Sequence, residues 1–299
     1  MGSGSFNAAA YAAFTTSTVG KSTDEIYSSR SMNKNLDPKG VKLRESRDSA
    51  DNPHSTPIIV GIDVTGSMGI IADVLAREGL GVLFTEILNR KPITDPHVMF
   101  MAIGDANCDD APLQVSQFEA DNRIVEQLTQ IYIEHGGGGN NYESYNLPWY
   151  FAARHTEHDS LIKRAKRGYL FTVGDEQAPH DLTPEQIKRF IGDKIQPTTT
   201  AQLLAEAQRM YDVFHIVIEE GDYASHHGAA VRDSWRELLG QHVICLADHK
   251  KLSETIVSCV EVVEGRDAKK VTAAWGSVVY DAVKHLPPSR NPKRLPAPA

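Results

Sequence analysis

Cysteine is scarce in this 299-residue chain: Cys108, Cys245 and Cys259 are the only three, with no CxxC spacing among them. An odd count without paired spacing offers neither a disulfide framework nor a thiolate zinc centre, and it suits a reducing cytoplasm. Equally missing is any apolar run near the roughly 18–20 residues that span a bilayer. The start MGSGSFNAAA lacks the basic region and apolar stretch of a secretion signal, and Phe6 stands where the myristoylation pattern wants Ser or Thr. These absences predict a cytoplasmic protein with no membrane partner. Positive charge is also in deficit, 31 Lys and Arg against 39 Asp and Glu, for a net charge of -8. A protein that gains affinity from a Lys/Arg surface laid on phosphates is thereby excluded, and nucleic acid is not an expected ligand.

What is present is the makeup of a folded globular chain, 41% hydrophobic and 23% charged. Residues 1–56 are rich in Ala, Ser, Thr and Asn, with isolated aromatics at Phe6, Tyr11 and Phe14. They read as an N-terminal arm, packed on the main domain or offered to a partner. Residues 57–286 read as one α/β domain. In residues 287–299, Pro287, Pro288, Pro292, Pro296 and Pro298 alternate with Arg290, Lys293 and Arg294, the composition of an extended Pro-rich tail.

Inside the domain, residues 57–63 (PIIVGID) carry β-branched side chains on both faces, as a fully buried parallel strand does. Ile71, Val74, Leu75, Val82, Leu83 and Ile87 then recur at helical spacing, and Gly79 and Gly81 within that stretch predict close packing against the sheet. A second buried run, 97–104, is followed by a polar loop, a short edge strand near 113–118 and a helix over about 121–134. More helix reaches Ala153. Strand-like runs at 168–173, 213–218 and 241–246 alternate with helical segments. Thr183-Pro184-Glu185-Gln186 has the form of a capping box with Pro in the first turn. The alternation predicts a three-layer, doubly wound, Rossmann-like and mostly parallel sheet.

Directly after the first strand stands Asp63-Val64-Thr65-Gly66-Ser67-Met68, a carboxylate and two hydroxyls at alternate positions on the turn into the first helix. In an open parallel sheet the ligand crevice lies beyond the carboxyl ends of the strands where the winding reverses, and the first strand flanks that point. Hard oxygen donors there suit a hard cation such as Mg2+.

At this motif the sequence resembles the von Willebrand factor A (vWA) domain family, whose metal-ion-dependent adhesion site carries an Asp-x-Ser-x-Ser signature. The resemblance covers about residues 57–246. It implies a vWA-like fold, direct hydroxyl ligation of Mg2+ (or Mn2+ or Ca2+) by Thr65 and Ser67, and Asp63 close to the ion or holding its waters. It also implies an Asp from the end of the fourth strand, which Asp175 supplies, with Glu176 as fallback. The family's Gly-rich segment ending in a Thr ligand matches 136–143 (GGGGNNYE), where Gly139 takes the place of the Thr. A third oxygen then comes from the side-chain carbonyl of Asn140 or Asn141, from the backbone or from water. Such an ion keeps one position open for an acidic side chain of a protein partner. The resemblance, to bacterial and phage members above all, thus implies a cytosolic adaptor working beside an AAA+ ATPase or in a multiprotein assembly, and no enzyme.

Competing signals are weaker in their detail. Gly20-Lys21-Ser22-Thr23 matches the end of a phosphate-binding loop, but Thr15 holds the place of its first Gly and no buried strand precedes it. A haloacid-dehalogenase-like phosphatase would use Asp63 as nucleophile and 104–109 (GDANCD) as metal loop. That reading wants a second Asp where Thr65 stands, and a metal loop later in the chain. Asp105, Asp109 and Asp110 read as a solvated acidic loop on the same rim. The twelve His residues show no HExxH spacing and predict no zinc site. A third class is a homo-oligomeric structural component that uses the arm and tail as contacts.

Overall fold

Thr56–Asp63 forms strand β1, in which all eight residues are buried. The computed structural model describes residues 4–133 and 140–289, with the backbone alone at Ser67, Gly69, Leu75 and Ala76. On either side of β1 lie β2 (Pro96–Ile103) and, across the winding reversal, β4 (Gly168–Gly174). The short β3 (Leu113–Val115), β5 (Tyr211–Ile218) and β6 (Val243–Leu246) complete a six-stranded sheet of order β3-β2-β1-β4-β5-β6. Only the edge strand β3 runs antiparallel; the other pairings are parallel, with Asp63 opposite Ile103 and Ile62 opposite Val173. The expected mixed α/β architecture with a mostly parallel sheet is therefore present.

Alternation along β1 divides the interior into two cores. Ile58, Val60 and Ile62 face a cluster closed by Leu83, Phe84 and Ile87 of the helix Leu80–Arg90 and by Ile256 and Val260 of the helix Leu252–Val263. Ile59 faces the other cluster, with Trp149 and Phe151 of the helix Asn146–His155 and Trp235 of the helix Asp222–Leu239. Each β-branched strand residue thus buries its side chain against a helix on its own side, worth about 1.5–3 kcal/mol per large side chain.

The first helix departs from the spacing read in the sequence. Gly69–Val74 is α-helical, Leu75–Gly79 is a π-helical turn, and Leu80–Arg90 resumes the α-helix. The wider turn shifts the 3.6-residue phase, so Leu80 and Phe84 are buried while Val82 is only half-buried. Close approach at Gly81 is to the Tyr11 ring, 2.5 Å from where a Cβ would stand, and not to the sheet. The helix expected over about 121–134 is shorter, Arg123–Thr129. Beyond it Gln114 of β3 captures the chain, accepting from Tyr132 N at 2.9 Å and donating to Tyr132 O at 2.7 Å, which holds that stretch out of the helix. The capping box at Thr183 forms as read, with Gln186 N donating to Thr183 Oγ1 at 3.2 Å and Thr183 N to Gln186 Oε1 at 2.8 Å.

The segment 6–36 lies against the first core, and Val41 packs against the second. Tyr11, Tyr27 and Leu36 are buried in the first, and Tyr27 Oη donates to the Ala72 carbonyl at 2.5 Å. Arg77 donates to the carbonyls of Thr18 (2.7 Å) and Lys21 (2.6 Å). Arg44–Ser46 pairs in parallel with Thr156–His158, a ladder separate from the main sheet. Near the other end, Ser289 N donates to the Val263 carbonyl at 2.7 Å, and the rest of the expected tail, 290–299, lies outside the described residues. Among the described residues no helix is long and apolar enough to cross a membrane.

Candidate metal centre

β1 ends at Asp63, beside the point where the sheet changes winding direction, and the chain turns there through Gly66–Met68. Gly66 has φ +44°, a left-handed conformation that glycine adopts at little cost. The Asp63 carboxylate folds back over its own turn: Oδ1 accepts from Thr65 N at 2.9 Å and from Thr65 Oγ1 at 2.7 Å. Its Oδ2 accepts from Tyr145 Oη at 2.9 Å. Tyr145 reaches that position because a Cβ at Gly174, the last residue of β4, would collide with its hydroxyl.

Thr65 Oγ1 also lies 3.3 Å from Glu143 Oε1. A hydroxyl carries one hydrogen, and Asp63 takes it; the second contact is then satisfied by a proton on Glu143 or by a cation shared between the two oxygens. Glu143 is 2% exposed, and its Oε2 is buried without a hydrogen-bond partner. Glu176, next to the end of β4, likewise has a buried and unpartnered Oε2.

Burial is the first cause that raises the carboxyl pKa of every acid here. Glu143 is pushed far up, with the Asp63 charge adding to burial. Glu176 is pushed up to about 8 by burial and by the charges of Asp63 and Asp175. Asp63 is raised by burial, against the opposing pull of Thr65 and Tyr145. Asp175 is raised by burial although the amides of Tyr223 and Ala224 oppose it. Among the described residues no Lys, Arg or His forms an ion pair with Asp63, Glu143, Asp175 or Glu176. Four acids in a poorly solvated cleft, two with a bare oxygen, need either protons or a cation to be stable there. An all-oxygen donor set with unpartnered carboxylate atoms fits a hard divalent ion.

The residues singled out in the sequence are placed as follows. Asp63 and Thr65 meet directly. Asp175 lies close enough for its charge to act on Asp63, but its Oδ2 accepts from Tyr223 N at 2.8 Å, at the start of the helix Asp222–Leu239. Asn140 points its amide elsewhere, Nδ2 donating to Asp105 Oδ2 at 2.5 Å. Ser67 belongs to the turn by its backbone, its side chain lying outside the described residues, as do residues 134–139 with the four glycines.

The loop after β2 differs from its expected solvated state, for Asp105 is fully buried and Asp109 nearly so. Its own side chains lock it. Asp105 Oδ1 accepts from Asn107 N at 2.9 Å, Asp105 N donates to Asp109 Oδ2 at 2.7 Å, and Ala106 N donates to Ser144 Oγ at 2.9 Å. Asp105 and Asp109 thereby add their charge to the field at Glu143 and Glu176. Asp110 is exposed.

Sequence reasoning missed Glu143 and Tyr145 as members of this site. The available signal was an acid and an aromatic standing between the Gly-rich stretch and an apolar helix. Elsewhere, ligand atoms of Glu220, Asp248 and His249 lie within 4.8 Å of one another beyond β5 and β6, in a half-exposed group. The acids at the end of β1 form no such tight triplet among the described residues.

No family model and no curated protein matches the chain. Among solved structures it is similar to the pilus adhesin SpaC from Lactobacillus rhamnosus GG in an open conformation, with 10% identity and a TM-score of 0.45. That similarity covers 75% of this chain and 31% of the adhesin, so the chain spans about a third of its length. A second form of the same adhesin gives 9% identity, a TM-score of 0.43, and 75% and 32% coverage.

Proposed function

We propose that this chain is a vWA-like, metal-dependent protein-binding module: a cytosolic adaptor that docks an acidic side chain of a protein partner on a divalent cation held at the end of β1. The observation that carries the reading is the contact between Thr65 and Glu143, where one hydroxyl hydrogen faces two carboxylates and Glu143 Oε2 has no partner. Thr65 and Ser67 would offer hydroxyls to Mg2+, or to Mn2+ or Ca2+. Asp63, Asp175, Glu143 and Glu176 would hold the ion or its waters. The bound ion supplies an electrophilic, oxygen-seeking centre. Glu143 lies four residues beyond Gly139, which takes the place of the family's Thr, so the chain places a carboxylate of its own beside the Thr65 hydroxyl. A partner's acid then binds by exchange with Glu143, which favours reversible docking over permanent capture.

One further point supports docking over turnover. The phosphatase alternative requires a general acid two residues after Asp63, and the residue there, Thr65, instead donates its hydroxyl hydrogen to Asp63 Oδ1 at 2.7 Å. The AAA+ ATPase or multiprotein assembly implied by the resemblance is the class of partner proposed.

The test is a melting-temperature titration with Mg2+ and Mn2+, followed by partner capture with and without EDTA. Saturable stabilisation in the wild type, absent in Thr65→Ala/Ser67→Ala, is expected, at about 2.7 kcal/mol when the ion is at a hundred times its Kd. Identical titrations in the two proteins, or a partner retained equally well in EDTA, would overturn the proposal.

A further inference from the structure

Between the segment 34–44 and the helix Arg123–Thr129 lies an open cavity of about 530 Å³. Four cationic residues line it, Lys34, Lys39, Arg44 and Arg123, against two acids, Asp37 and Glu126. This is a local excess of positive charge in a protein of net charge -8. Not all of the six are free. Arg123 is paired with Glu119 at 3.0 Å and Asp121 at 2.9 Å, and Asp37 Oδ1 accepts from Lys39 N at 2.8 Å, closing its own turn.

Arg44 differs. Its guanidinium is half-buried, Nη2 donates only to the Asn35 carbonyl at 3.2 Å, and Nε is buried without a partner. Among the described residues no carboxylate pairs with it. The contrast with Arg47, three positions on, is direct, for Arg47 is paired with Glu45, Glu157 and Asp159. A half-buried guanidinium normally finds a carboxylate or phosphate for its fork. The lining also supplies a complementary group: Gln117 Oε1 is a buried acceptor without a donor, while Gln117 N is held by Gln127 Oε1 at 2.6 Å.

We infer that this cavity is a binding site for a small oxyanion ligand, a carboxylate or a phosphate that also bears an O–H or N–H donor. Arg44 clasps the anion, Gln117 accepts from the donor, and the exposed Lys34 and Lys39 draw the ligand to the mouth. The site is independent of the cation at β1.

The experiment uses the full chain and two probes, malate, a carboxylate with a hydroxyl donor, and inorganic phosphate, titrated by calorimetry and by melting temperature at fixed ionic strength. A saturable response to one of them is expected, and which one responds identifies the source of the anion. Arg44→Gln should raise the half-saturation concentration at least tenfold. Lys39→Glu changes an exposed residue at the mouth, leaves the fold intact, and should raise it several-fold. If neither probe saturates, or if Lys39→Glu or a folded Arg44→Gln binds like the wild type, the inference fails.

Discussion

The Thr65 hydroxyl stands 3.3 Å from Glu143 Oε1 while its single hydrogen is held by Asp63 at 2.7 Å. Two residues nearly eighty positions apart thus share an interaction that is incomplete without a proton or a cation. The behaviour expected of the protein in solution follows from that shortage.

Stability should fall as pH rises when no divalent ion is present. Asp63, Glu143, Asp175 and Glu176 all have carboxyl pKa values raised by burial above the usual range near 4. Each is protonated in the folded chain at a pH where the unfolded chain has already lost the proton. The stability this gives is complete below about pH 4 and is lost as pH climbs, through about 8 for Glu176. Melting temperature in EDTA should therefore decline between about pH 5 and 9, and saturating Mg2+ should flatten the decline by replacing protons. A melting temperature in EDTA that rises across this window would contradict the account.

Glu143→Gln should separate the proton from the ion. Gln is neutral at every pH, so the metal-free variant should melt higher than wild type at pH 8 and lose the share of the slope that Glu143 contributes, the other three acids keeping theirs. Its response to Mn2+ should weaken by about tenfold or more, as changes around metal ligands do. Calorimetric titration with Mn2+ measures the second effect, and unchanged affinity would remove Glu143 from the ion's surroundings.

Tyr145→Phe removes the donor to Asp63 Oδ2 and also vacates the contact at Gly174. The ring stays packed against His215 and Trp235. The loss should therefore be that of one buried hydrogen bond to a carboxylate, about 2 kcal/mol. Urea denaturation should show it as a lower midpoint at constant slope; a midpoint equal to the wild type would mean that Asp63 needs no such donor.

Phosphate release offers a direct check on the alternative chemistry. With Thr65 standing where a phosphatase of this kind needs a second Asp, incubation with Mg2+ and p-nitrophenyl phosphate should yield no turnover. Release that disappears in Asp63→Asn would restore the phosphatase reading.

The sheet was legible in the sequence because buried parallel strands have a local signature: β-branched runs such as 57–63 need no partner to be recognised, and Thr56–Asp63 follows them closely. The phase of the first helix was not. A π-helical turn at Leu75–Gly79 leaves no trace in spacing, yet it leaves Val82 only half-buried and turns Phe84 inward. Asp63 and Thr65 were found because both sit on one turn and bind each other locally. Glu143, Tyr145 and Asp105 act across the chain, and whether a loop carboxylate is solvated or buried depends on which distant backbone meets it. Tyr11 and Tyr27 show no period of their own because each fills a gap in another element's surface.

Tyr27 bonded to the Ala72 carbonyl, and Arg77 to those of Thr18 and Lys21, stitch the early chain to the helix that leaves the Asp63 turn. A fragment cut just ahead of Pro57 would shed that bracing and bare a greasy trench where Tyr11, Tyr27 and Leu36 had rested. Any failure of such a fragment to associate would report its own collapse before it reported a missing handhold, so docking has to be measured on molecules that keep this lacing intact.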